Sequence, residues 1–230
     1  MAAALPTGGE QLLRGVWAVL ELLLSGQIHL FSIMLFVMIF SLTMHEFGHA
    51  FLVTKLGDNT ALLNGRLTLN PIAHLDIMGL LMLIMLGFGY AKPVPFTPRN
   101  IKPRWGKAAI AAAGPGMNFV LALVSINLYI WFVGHGHIAD DTPAAFALQY
   151  MAIINLLLML FNLLPIGMLD GHYIMSWLLP PRLSTQYDMW NARYGNLLFM
   201  GLVILSIAGI PIFRILTRFS YQLASMLVIV

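Results

Sequence analysis

Cysteine is absent from this chain, and charge is scarce: Asp, Glu, Lys and Arg make up 9% of its 230 residues. The first absence excludes a disulfide framework and any thiolate metal site. The second excludes an ordinary soluble domain, in which about 25% of residues are charged. Acidic residues are the scarcer sign, nine in all. The amino terminus, MAAALPTGGEQLLRG, has no basic region ahead of an apolar run, so no cleavable signal peptide is expected. A net charge of only +3 calls for no nucleic-acid partner. No internal repeat or low-complexity tract appears, and a single domain over 1–230 with no appended soluble module is expected.

What is present is oil. Hydrophobic residues form 60% of the chain, and several stretches approach the ~20 apolar residues that cross a bilayer. The expected fold is an all-α polytopic membrane protein with about five to six transmembrane helices. Segments 28–56, 108–134 and 147–164 read as spans. Segment 10–25, which carries Glu10, Arg14 and Glu21, is either a short span or an interfacial helix. A last pair, 196–210 and 212–230, follows, divided by Pro211. The core is 28–180, with 10–25 and 196–230 peripheral. Between the second and third helices, GDNTALLNGRLTLNP has β-branched residues, Asn-Gly at 64–65 and a stop at Pro71, which predict a small β-hairpin.

Charge sets the orientation. Lys92, Arg99, Lys102, Arg104 and Lys107 crowd into one connection, whereas 134–144 holds Asp140 and Asp141 but no Lys or Arg. The positive-inside rule makes the first cytoplasmic and the second external. Helix 28–56 must then end in the cytoplasm, as Lys55 and Arg66 also require. The apolar stretch 77–90, IMGLLMLIMLGFGY, therefore begins and ends on one side, and is expected to be re-entrant or interfacial on the cytoplasmic side.

One stretch breaks the oil: SLTMHEFGHAFL, 41–52, has three ionisable groups within five residues. Such groups at membrane depth cost roughly 2.5 kcal/mol or more and are usually functional. His45 and His49 are four apart, on one helix face, where both imidazoles can reach one zinc ion. Glu46 can take a proton from a water on that metal. The bland alternative is a helix end whose polar residues bond to neighbouring helices.

A catalytic zinc site needs a third protein ligand. Glu10 and Glu21 lie in the first helix, Asp140 and Asp141 lie outside, Asp188 sits in a polar loop, and Asp58 reads as a turn or cap. Asp76, beside His74, is a less attractive ligand. The helix from 147 runs inward and is broken by Pro165 and Gly167, which brings Asp170 to the side of His45 and His49.

HEFGH, GDNTALLNGRLTLNP, AAAGPGMNF and NLLPIGMLDG, in that order over about 35–175, resemble the site-2 protease family of intramembrane zinc metalloproteases. The resemblance implies one Zn2+ per chain held by His45, His49 and Asp170, with Glu46 as catalytic base. Asn162 matches a position near the metal, where it either assists at the oxyanion or ties down the broken helix. Asn118 matches a polar position on the central helix and is taken as substrate-binding. Where many members have Asp-Pro, this chain has Asp76-Ile77. PDZ and CBS modules, which some members carry, are not expected beside this core.

The implied partners are a transmembrane protein substrate and the lipid bilayer. The implied location is a prokaryotic cell (inner) membrane, multi-pass, with the active site towards the cytoplasm. Oligomeric state is not legible. Residues 60–70, with Gly65, Arg66, Leu67 and Thr68 at their centre, are expected to offer a strand edge to an unwound substrate segment. The competing class is a metal transporter or sensor. It would string ligands across the bilayer and would have no special need of Glu46.

Overall fold

The computed structural model describes residues 22–86, 89, 91–207 and 212–229. Its helices are α1 (Ile28–Lys55), α2 (Thr60–Leu63), α3 (Ile77–Leu86), α4 (Gly106–Gly134), α5 (Pro143–Asn162), α6 (Gly171–Leu178), α7 (Pro181–Trp190), α8 (Asn196–Ile207) and α9 (Ile212–Met226). A π-helical turn, Asn191–Gly195, links α7 to α8. Of the expected segment 10–25, only 22–25 fall among the described residues, with 22–24 helical. Pro211 lies outside them.

Among the described residues three helices, α1, α4 and α5, are long and apolar enough to cross a membrane. The shortest, at 20 residues, is about 30 Å long, one hydrocarbon thickness. Of the expected five to six spans, three are thus found among the described residues, and most of segment 10–25 lies outside them. α8 and α9 have 12 and 15 residues, about 18 and 22 Å. α9 carries Arg214 and Arg218, and its buried Ala224 packs in one cluster with Ala122 of α4 and Ala152 of α5.

The three long helices pack on one another with polarity inside and oil outside. Ser41, His45, Glu46, His49, Asn118 and Asn155 are buried, while Phe36, Phe40, Val120, Val124 and Trp131 are exposed. Water would invert this pattern; lipid tails favour it. The α1–α4 contact is close because Gly48 has no side chain. A Cβ there would lie 2.7 Å from both Ala113 O and Met117 Cγ.

No β-hairpin forms at 57–71; the described residues contain only an isolated antiparallel bridge, Leu75–Ala91. The reason is local. Asp58 accepts from Thr60 N and Thr60 Oγ1 (3.1 and 2.6 Å), which starts the single turn α2. Gly65, at φ +67°, then closes that turn. Its N–H bonds to Leu62 O and that of Arg66 to Ala61 O, the paired bonds of a helix end. Asn64 stays at φ −87°, whereas a tight hairpin turn needs positive φ at both central residues. Asn-Gly here stops a helix.

The Leu75–Ala91 bridge, with Lys92 N donating to His74 O at 2.7 Å, pins together the two ends of the segment containing α3. Between them Leu83 packs with Met34, Val37, Tyr150 and Ile154, well up α1 and α5. α3 thus enters the helix core, and its segment returns to where it started.

Candidate metal centre

The site is assembled from two helices and one loop. α1 presents His45 and His49 one turn apart, and both are buried. Asp170 stands at the head of α6, after the broken stretch 163–170. His45 Nε2 lies 3.0 Å from His49 Nε2, and Asp170 Oδ2 lies 3.2 and 3.4 Å from the two nitrogens. Ligand atoms at tetrahedral corners about 2.0–2.1 Å from a zinc ion are about 3.4 Å apart. The three atoms fit.

Their chemistry fits as well. His49 Nδ1 lies 2.7 Å from Ile110 O, which can only accept, so Nδ1 carries the hydrogen. His45 Nδ1 lies 2.6 Å from Asn118 Oδ1 and donates likewise. Both Nε2 atoms then face the centre as lone pairs. Asp170 Oδ2 is buried with no hydrogen-bond donor. Three electron-rich atoms in near contact are an unfavourable arrangement that one divalent cation satisfies.

Space is reserved for them by Gly114 of α4. A Cβ on Gly114 would lie 2.3 Å from His49 Nε2 and 2.6 Å from His45 Nε2. Gly114, the first glycine of the Gly-Pro-Gly stretch of α4, is thus a wall of the metal pocket. Glu46, one residue past His45, is only 8% exposed. From the loop, Arg66 is buried and donates to Lys92 O. Burial lowers the pKa of its guanidinium, and the charge of Glu46 acts in the opposite direction.

Comparison with known proteins agrees with this geometry. Peptidase family M50 matches residues 33–147. A Bacillus subtilis (strain 168) protein named "Putative zinc metalloprotease YwhC" is 39% identical over 174 residues, 73% of this chain and 78% of that protein. "Putative zinc metalloprotease Rip2" of Mycolicibacterium smegmatis is 34% identical over 170 residues, 71% of this chain and 63% of that protein. The chain belongs to peptidase family M50. No solved structure matches it. The family match ends before Asp170, so in this M50 chain the geometry itself joins the aspartate to the histidines.

Other expected site residues lie elsewhere. Asn118 is fully buried behind His45, with its amide engaged by His45 and Asn155. Asn162 ends α5 and donates to Leu158 O at 3.0 Å. Gly65 forms the exposed turn, Leu67 packs beneath α1 and α4, and Thr68 O lies 2.8 Å from His74 Nε2. Asp76 caps α3 by accepting from Gly79 N.

The clamp on the Asp170 loop is not legible in the sequence. Asn191, in the π-turn, accepts from Gly167 N and donates to Gly167 O, both at 2.9 Å. Tyr187 OH donates to Pro165 O at 2.6 Å. The only signal available was an asparagine at the end of a helix, which is too common to single out. Next to this clamp is a cavity of about 460 Å3, lined by Lys102, Arg104, Lys107, His172, Tyr173 and Asp188 among others.

Proposed function

We propose that this chain is an intramembrane zinc metalloprotease. It hydrolyses a peptide bond in or near a transmembrane segment of another membrane protein, close to the cytoplasmic face. One observation carries the reading: two bare Nε2 atoms and an undonated Asp170 Oδ2 converge within 3.0–3.4 Å, beside Glu46, in an apolar helix long enough to span.

His45, His49 and Asp170 would hold the zinc. The chemistry zinc supplies when bound is a water of pKa towards ~7 and a polarised scissile carbonyl. Glu46 accepts the proton of the attacking water and passes it to the nitrogen of the leaving amine. Neither histidine gives up a proton, because each Nδ1–H is committed to its acceptor. Arg66 holds a fixed positive charge whose field reaches Glu46. The bond from Asn162 to Leu158 O favours its helix-tying role over one at the oxyanion.

The basic connection at 92–107 supports a cytoplasmic position for this end of the bundle. A helical substrate must unwind locally before hydrolysis, since its peptide bonds are shielded by its own hydrogen bonds. The test uses purified protein in liposomes with transmembrane peptides, and products located by mass spectrometry. Cuts in or near the apolar segment, stopped by chelation and restored by Zn2+, are expected. Metal uptake into the vesicles without any cut would overturn the proposal in favour of a transporter.

A further inference from the structure

We infer that Asn155, on α5, is a positioning residue for the ligand His45, setting the imidazole tautomer through Asn118. The inference rests on the metal-centre reading above. It follows from a chain of hydrogen bonds whose direction is fixed at its far end.

Asn155 Nδ2 lies 2.8 Å from Met151 O. A backbone carbonyl only accepts, so that side of the Asn155 amide must be its NH2 group. The second N–H donates to Ser41 Oγ at 2.8 Å. Oδ1 of Asn155 therefore faces the other way and accepts from Asn118 Nδ2 at 2.7 Å. That obliges Asn118 to turn its own Oδ1 to His45 Nδ1, at 2.6 Å. Facing an oxygen, Nδ1 must carry the hydrogen, and Nε2 is left as the lone pair directed at Asp170 and His49. A main-chain carbonyl of α5 thus selects the tautomer of a histidine on α1, by way of α4.

Nothing competes with this order. Asn118 and Asn155 are both 0% exposed. Water that would let an amide turn over is excluded, and each amide has a partner on both its oxygen and its nitrogen. A flipped Asn155 would set its oxygen against Met151 O and its NH2 against that of Asn118. The same bonds tie all three spanning helices together at the depth of the metal centre, so ligand orientation and helix packing are set by one network.

The test compares zinc affinity, by competition with a chromophoric chelator, in detergent-purified variants. Asn155→Ala leaves only the long 3.4 Å bond to Ser41 O to orient the Asn118 amide, and affinity should fall on the order of 10- to 100-fold. Adding Asn118→Asp should restore most of the loss, since a carboxylate offers an oxygen to His45 Nδ1 in either orientation. A packing role alone would not be rescued in that way. Ser41→Ala should change affinity less than about threefold, because Met151 O still fixes the Asn155 amide. If Asn155→Ala does not fold, Asn155→Leu, which fills the space with apolar atoms, is measured in its place, alone and with Asn118→Asp. Unchanged affinity in the folded single variant, or no rescue in the double variant, overturns the inference and leaves the metal centre standing. Wild-type protein that binds no zinc overturns the metal centre, and the inference with it.

Discussion

At the scale of single residues, the spacing of His45, Glu46 and His49 was enough to expose the chemistry, because one helical turn brings both imidazoles to one face. Asp170 stands out by its side of the bundle because the chain has only nine acidic residues. Asn118, expected at the substrate, lies behind a ligand. Its partner is 73 residues away in sequence, and the carbonyl that orients the network is invisible in any sequence. Gly114 shows how little slack the centre has. Gly114→Ala would place a methyl within 2.6 Å of both ligand nitrogens. Zinc affinity should fall on the order of 100-fold or more, with helix content by circular dichroism unchanged.

Among the elements, the long helices were readable because lipid demands length and apolarity at once. The hairpin was not, because the same Asn-Gly pair serves a tight turn or a helix stop. What decides is whether a residue upstream starts a turn, as Asp58 does here. That carboxylate is buried, and it also accepts from Thr97 N at 2.5 Å and Asn100 Nδ2 at 2.9 Å, tying α2 to the basic connection. Burial alone would raise its pKa, but the bonds from Thr60, Thr97 and Asn100 outweigh that and bring it from 3.8 to about 2. A depressed carboxylate adds stability that is complete above about pH 4 and lost as pH falls through about 2. Thermal unfolding in detergent between pH 5 and 2 should show this loss for wild type. The loss should be weakened in Asp58→Asn, which should itself be less stable by about 2 kcal/mol at neutral pH. The Asp170 loop has its own anchor: Asn191→Ala removes two bonds to Gly167, and zinc affinity should drop about tenfold.

For the molecule as a whole, the buried polar centre and lipid-suited exterior suit a bilayer, and the direction proposed for it rests on the basic connection. The absence of cysteine makes that direction easy to measure, since no native thiol reacts. In intact cells, His137→Cys should react with a membrane-impermeant maleimide and Lys102→Cys should not; the reverse pattern would invert the topology. The claim on which the rest depends is that the ligands and the base have separate jobs. Zinc content and cleavage of a transmembrane substrate, measured together for wild type and Glu46→Gln, test it most directly. One zinc per chain is expected in both proteins, with cleavage lost in the variant. A variant that still cuts, or a wild-type protein without zinc that cuts as well as the loaded one, would contradict it.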